Sequence, residues 1–373
     1  MNRSARRWWQ PWTVVLVSLA LYLGVMLARS GGEAQVFVTL GDCFRQCAAH
    51  DGEDCLEGTE GYDGQFAYYI ARSPAQSPDC LDVPAYRLQR ILLPLLGRLL
   101  SLGQTALIPW VFVAVNGAAL VISTMLLSDL LRAERASRWF ALSYGLFAGV
   151  FMAVRLSTPE SLAYGLVIAA IWLEQRDRLW ASAAMLALAA LAKETTLIFA
   201  AGYVLYFALN RRWQDALRVA GVAGAPFAVW QVVLFAWLGA FGVGSGGALA
   251  TAFEIVPLMG LVRIATEGSL AAFLVLGVLF AFPVAVLPAL WGLWRSVRDL
   301  LAGRIDAYAC LLLPSAAVML FVPFSTYREF LGLLRFIPGL VLTMVLYSAR
   351  HRARRPLVYS TLWIVLLLFV VSG

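Results

Sequence analysis

Residues 106–127 read ALIPWVFVAVNGAALVISTMLL, a run with no charged side chain. A bilayer core takes about 17 to 25 apolar residues of helix to cross, so this stretch reads as a transmembrane helix and sets the class of the whole chain. Working outward, further apolar runs lie near 12–28, 139–154, 161–174, 179–193, 196–209, 217–239, 270–294, 307–324, 334–348 and 356–372, which makes eleven in all. Of 373 residues, 61% are hydrophobic and 14% charged, against about 25% charged in soluble domains. The expectation is an all-α polytopic membrane protein of about eleven spans, a single domain over 1–373. Several runs are short enough that two neighbours could form a re-entrant pair.

Orientation follows from the basic residues, because cytoplasmic segments carry an excess of Lys and Arg. With the amino terminus inside, the inner segments hold 18 basic and seven acidic residues, the remaining 11 basic residues lying outside with 15 acidic ones. The clusters that decide this are Arg3, Arg6 and Arg7; Arg132, Arg135 and Arg138; Arg211, Arg212 and Arg218; and Arg350, Arg352, Arg354 and Arg355. The net charge of +7 is then a topology signal, and no nucleic-acid partner is needed to explain it. The first apolar run also fits a cleaved signal peptide with a weak site near Ala34; on either reading the segment that follows is outside.

That segment, 29–104, is the polar exception. It carries ten of the 22 acidic residues and four of the five cysteines, together with the block Gly61-Tyr62-Asp63-Gly64-Gln65. Outside the cytoplasm disulfides persist, and Cys43, Cys47, Cys55 and Cys80 can pair in three ways. Two bridges would pin a segment too polar to pack a core of its own, each restricting the unfolded chain by roughly 2 to 4 kcal/mol. Zinc held by Cys43, Cys47, His50 and Cys55 is the alternative, at a spacing that matches no standard finger. Cys310 lies within a span and reads as a small buried apolar residue. Further along, Phe66, Tyr68, Tyr69 and Ile70 suggest a short helix against the membrane surface. From Ala85 to Leu102, apolar residues interleaved with Arg87, Arg90 and Arg98 suggest an interfacial amphipathic helix with its guanidiniums among the lipid headgroups, or simply the lead-in to the next span.

Ionisable residues near spans are costly to bury and tend to line cavities or sites. Arg155 with Glu160, Lys193 with Glu194, Arg263 with Glu267, and Arg328, Glu329 and Arg335 all map to the outer ends of spans, on the same side as Asp63. Lys193 is the only lysine in the chain. Its ammonium suits a phosphate oxygen, or else forms a local pair with Glu194 that marks a helix end. Arg328 and Arg335 are seven residues apart and would share a helical face, an arrangement suited to a phosphate or to snorkelling at the interface. Gly242, Gly244 and Gly247 fit G-x-G-x-x-G but lack the strand and helix that give the dinucleotide motif its meaning, so they read as an outer loop.

Taken together, Gly61-Tyr62-Asp63-Gly64-Gln65-Phe66, Leu81-Asp82-Val83-Pro84-Ala85-Tyr86-Arg87 and Arg90-Ile91-Leu92-Leu93-Pro94-Leu95-Leu96 resemble the first outer loop of bacterial integral-membrane glycosyltransferase-like proteins of the GT-C superfamily. Thr158-Pro159-Glu160-Ser161 and Lys193-Glu194-Thr195 resemble later landmarks of the group. The resemblance implies a multi-pass protein of the bacterial inner membrane with its amino terminus in the cytoplasm. It also implies a polyprenyl-phosphate sugar as donor, inversion at the anomeric carbon, and Asp63 as the base that activates an acceptor hydroxyl on a glycopolymer, lipid or protein. The leaving phosphate needs cationic stabilisation, for which Lys193, Arg328 and Arg335 are the candidates. Asp42, Tyr62, Gln65, Arg87, Arg90, Glu160 and Glu194 are further candidates for substrate contact. Asp42 is also a possible ligand for the divalent cation that some GT-C enzymes bind, although no Asp-x-Asp pair is present. Asp82 reads as a helix cap. The rival classes are a glycolipid transporter, which would set its polar groups at broken helices near the bilayer midplane in repeated halves, and a non-catalytic subunit of glycan assembly.

Overall fold

The computed structural model describes residues 10–42, 44, 61–247 and 250–371. Among these, every regular element is a helix. The chain runs through α1 (Pro11–Arg29), α2 (Gly64–Arg72), α3 (Pro84–Leu88), α4 (Leu92–Leu100), α5 (Ile108–Ala133), α6 (Leu142–Gly145), α7 (Ala148–Arg155), α8 (Glu160–Glu174), α9 (Leu179–Ala192) and α10 (Leu197–Leu209). It continues through α11 (Trp213–Leu238), α12 (Met259–Arg263), α13 (Leu270–Ala272), a π-helical stretch (Phe273–Val286) and α14 (Leu287–Leu301). The last third holds α15 (Ala307–Ala317), α16 (Phe324–Arg328), α17 (Phe330–Phe336), α18 (Pro338–Arg350), α19 (Arg354–Tyr359) and α20 (Leu362–Val371).

Four helical segments are long and apolar enough to cross a membrane: Pro11–Arg29, Thr105–Ala133, Trp213–Leu238 and Leu270–Leu301. The first begins with Pro11 at a position whose N–H would have no intrahelical partner, and the third stops at Gly239 in the left-handed conformation. Leu21, Val229, Leu279 and Leu301 on these segments are exposed, an apolar outer surface of the kind that lipid covers. A fifth crossing results if α17 and α18, bent by 47°, act as one span. The bend falls at Ile337, where the following Pro338 disfavours helical backbone.

The expected runs 161–174, 179–193 and 196–209 are the single helices α8, α9 and α10, the last two parted at Lys193, whereas the run 139–154 is broken between α6 and α7 and 356–372 between α19 and α20. The count of eleven full-length spans is therefore not what helix length alone gives. Lys193 has extended backbone (φ −155°, ψ 118°), and so has Glu329 (φ −102°, ψ 118°) between α16 and α17. Both breaks coincide with charged side chains that turn inward or to the rim.

Inside, α8 packs on α9 and α5, α10 on α11 and α15, and α15 on α14 and α18. The interior is filled by residues such as Val15, Tyr144, Phe147, Phe151, Phe199, Leu312 and Tyr347. The segment preceding α5 is not a loose excursion. Phe66, Ile70, Leu81 and Leu88 form a small core with Leu234 of α11, and Ala71, Leu92 and Leu93 pack with Phe112 of α5 and Leu162 of α8. The expected surface helix over 85–102 is two helices broken between Leu88 and Leu92. Its arginines do not sit together among headgroups: the Arg87 and Arg90 side chains are only 11% and 13% exposed, because each has a carboxylate partner inside. Cys310 is buried and free, as its apolar surroundings suggest. Cys80 is buried and engaged, while Cys43, Cys47 and Cys55, with the His50 of the zinc alternative, lie outside the described residues.

Candidate functional site

Asp63 is held by the backbone around it. Gly61 has φ +73°, a conformation that favours glycine, and a Cβ there would lie 2.4 Å from the backbone nitrogen of Gly41. The Tyr62 N–H donates to the Thr39 carbonyl (3.0 Å), and the Gly41 N–H donates to the buried Gln65 side chain (3.0 Å). Gly64 opens α2 against the turn after α7, so tightly that a Cβ would stand 2.0 Å from the Leu156 carbonyl oxygen. The two glycines of the block are thus the means by which Asp63 is brought against the helical bundle.

Both carboxylate oxygens of Asp63 accept from guanidiniums. Arg335 of α17 donates through Nη1 to Oδ2 at 2.6 Å, and Arg87 of α3 donates through Nη1 to Oδ1 at 3.0 Å. Arg87 is itself fixed by a fork on Asp82 (2.7 Å from both Nε and Nη2) and by the Phe66 ring beneath it, 4.1 Å from centroid to guanidinium carbon. Burial pushes the Asp63 carboxyl up, but the Arg335 and Arg87 charges outweigh it and hold the group well below the ordinary carboxylate range. The Asp63 side chain is still 32% exposed.

Behind it lies a second, more deeply buried layer. Glu160, the first residue of α8, is fully buried, and its Oε1 accepts from Lys193 Nζ (2.8 Å) and Arg335 Nε (3.0 Å). Lys193 also donates to the Arg335 carbonyl (3.2 Å). Beside them Arg90 makes a fork on Glu194 (2.8 and 2.6 Å) and donates to the Tyr86 hydroxyl (2.8 Å). Arg87, Arg90, Lys193 and Arg335 are thereby matched by Asp63, Asp82, Glu160 and Glu194, four charges of each sign.

At the rim, Tyr62 stacks on Arg335 (5.2 Å), accepts from its Nη1 (3.0 Å) and donates to Glu329 (3.5 Å), whose carboxyl is partly shielded although the residue reaches the surface. Burial is the main cause that raises the Tyr62 phenol to about 12, so it remains a donor. Burial likewise raises Glu329, with the nearby Asp63 adding to it and Arg335 opposing.

Several pairings differ from those that adjacency suggests. Lys193 takes Glu160 rather than its neighbour Glu194, since the extended backbone at Lys193 turns consecutive side chains apart. Arg155 has no ion pair with Glu160, which faces inward. Arg328 and Arg335 do not share a helical face, because the helix is interrupted at Glu329; Arg328 is exposed and lies near the Phe324 ring (5.5 Å). Arg263 pairs with Glu267 as expected and also with Glu254 (2.6 and 2.8 Å). The glycine loop at 242–247 is tied to α11 by Gln231, whose side-chain oxygen accepts from the Gly242 and Val243 N–H groups. Asp82 does not cap α3, whose N-cap is Val83 with no side-chain bond; it forks instead on Arg87 five residues on, a pairing that spacing conceals.

An apolar cavity of about 200 Å³ adjoins the charged cluster, lined by Tyr164, Ile198, Phe253, Met319, Phe336 and Leu340, with Glu194 and Thr195 among its few polar residues. Among the described residues no three His, Cys, Asp or Glu side chains are grouped to hold a metal ion. Asp63 has both oxygens on guanidiniums, and Asp42, the ligand considered for a divalent cation, is exposed. Comparison of the chain with protein families, curated proteins and solved structures finds no match.

Proposed function

We propose that this chain is a GT-C-type membrane glycosyltransferase that moves a sugar from a polyprenyl phosphate to an acceptor hydroxyl with inversion. In this reading it sits in a bacterial inner membrane with its amino terminus in the cytoplasm and Asp63 on the outer side. Cys80 forms a disulfide with Cys43, Cys47 or Cys55. The observation that carries the reading is the chain of contacts Asp63–Arg335–Glu160–Lys193, which joins a carboxylate of the polar segment to cations of distant helices beside an apolar cavity. A lipid-linked phosphate requires both a cationic site and an apolar one.

The chemistry follows from those groups. The acceptor oxygen attacks the anomeric carbon while its proton passes to Asp63, help worth about 10²- to 10⁴-fold in rate. The bond from that carbon to the phosphate oxygen breaks, and the charge that develops on the phosphate falls to Arg335 and Lys193, in surroundings dry enough for such contacts to be strong. The acceptor is a glycopolymer, a lipid or a protein. The rival reading as a glycolipid transporter draws on the helix breaks at Lys193 and Ile337, since broken helices also build transport sites.

Sugar transfer from a defined polyprenyl-phosphate donor by the purified chain, with Asp63→Asn as comparison, tests the proposal. Transfer that the variant loses while remaining folded supports it. Uptake of glycolipid into sealed vesicles without transfer favours the transporter, and undiminished transfer by Asp63→Asn removes Asp63 as the base.

A further inference from the structure

The resting site has a difficulty built into it. Arg335, the cation nearest to Asp63, is engaged through two of its three nitrogens: Nη1 serves Asp63 and Tyr62, and Nε serves Glu160. Among the described residues of the cluster the charges cancel, four against four, and Glu329 at the rim adds a further carboxylate. A phosphate approaching such a cluster meets no net attraction, and it cannot reach Nη1 without displacing an anion already there. Both oxygens of Asp63 meanwhile accept from guanidiniums, which favour its ionised form.

The two carboxylates on Arg335 are not equally easy to displace. Glu160 is fully buried and shared with Lys193, and stripping a partner from a buried charge of that kind is strongly unfavourable. Asp63 is 32% exposed, precedes the short helix α2, and keeps Arg87 as a second partner if Arg335 is taken away. It is the anion that can leave.

We propose that Asp63 is a placeholder on Arg335, and that the phosphate of a prenyl-phosphate ligand takes its position on Nη1 and releases it toward the acceptor. This rests on the functional reading above and adds to it a coupling between the two halves of the reaction. Donor binding supplies Arg335 to the phosphate, and the same displacement restores basicity to the carboxylate that must accept the proton. No covalent bond changes in the exchange; one anion replaces another on the guanidinium. The groups facing Asp63 are Arg335, Arg87, Arg90, Tyr62 and Glu329, with Asp82 behind Arg87. Of these only Arg335 changes partner.

Binding of farnesyl phosphate to the full chain in detergent tests the exchange, with farnesol and inorganic phosphate as the arms that separate the contributions of tail and phosphate. A charge-assisted hydrogen bond contributes about 1.5 to 3 kcal/mol, so Asp63→Asn, which no longer competes for Arg335, is expected to bind farnesyl phosphate about ten-fold or more tightly than the wild type. Glu329→Gln, which removes a nearby carboxylate that Arg335 does not hold, is expected to change affinity by less than about three-fold. From pH 7 to pH 5 the affinity ratio of wild type to Asp63→Asn is expected to stay constant, and below about pH 4 the wild type is expected to gain, because the displaced carboxyl takes up a proton more readily than the clamped one; ionisation of the ligand cancels in that comparison. Equal or weaker binding by Asp63→Asn, or an equal gain from Glu329→Gln, overturns the exchange. If the Asn variant does not fold, Asp63→Ala takes its place with the same expectations. Loss of binding in Arg335→Gln is required throughout, and binding that survives that variant sinks the phosphate site itself, a result distinct from failure of the exchange.

Discussion

Arg335 donates to Asp63 at 2.6 Å across 272 residues of sequence, and through its Nε the same guanidinium reaches the fully buried Glu160. One side chain therefore joins the polar segment before α5 to the interior of the bundle.

Removing that link should be costly. Arg335→Met leaves Glu160 with Lys193 alone and Asp63 with Arg87 alone, and stranding a buried charge costs about 3 to 5 kcal/mol. Arg335→Lys should rescue only part of this, since an ammonium cannot serve both carboxylates in the geometry of a guanidinium. Thermal unfolding in detergent is the measurement. A Met variant as stable as the wild type would show that the pair carries no structural load.

Gly64→Ala should destabilise by about 1 to 3 kcal/mol, the usual cost of overpacking, because the new Cβ meets the Leu156 carbonyl oxygen at 2.0 Å. Gly24→Ala is the matched comparison within α1, with nothing within 4 Å of the added atom. There the change should be neutral or slightly stabilising, in line with helix propensity. Melting temperatures of the two variants that move together would contradict the assigned close approach.

The low Asp63 pKa has a pH signature whose sign is fixed. A carboxyl held below its unfolded value contributes stability above that ordinary value, and the contribution is lost as pH falls through the folded one. The stability difference between wild type and Asp63→Asn should be flat from pH 7 to pH 5 and shrink below about pH 4, where the unfolded carboxyl begins to take up protons. A difference that grows on acidification would mean that the arginines do not favour the ionised form.

Cys80 gives a fourth test. Alkylation of the unreduced, denatured chain should leave Cys80 unmodified and label Cys310, which is free. Cys80→Ser should lower stability by about 2 to 4 kcal/mol if a disulfide is lost. Labelling of Cys80 without reduction would remove the bridge.

Much of this architecture is legible in the sequence because the signal is local. Apolar runs such as 106–127 must be helical, since a backbone in lipid has to satisfy its own hydrogen bonds, and the glycines beside Asp63 mark a tight segment. The divisions within runs are less legible: the break at Lys193 falls between two expected runs, but hydropathy averages over Ile337, which interrupts a helix within one. Side-chain pairing is the least legible. Glu160 finds Arg335 at a separation of 175 residues and Arg90 finds Glu194 at 104, distances at which spacing carries no information. Adjacency points instead to Arg155 with Glu160 and Lys193 with Glu194, and in both cases the chain turns neighbouring side chains apart.

The long-range character of these pairs has a bearing on biosynthesis. Translation proceeds from the amino terminus, so Asp63 and Glu160 leave the ribosome 272 and 175 residues before the arginine that joins them. Until α17 is made, Asp63 and Glu160 have Arg87 and Lys193 as their separate partners, and a nascent product truncated before Arg335 lacks the residue that unites them.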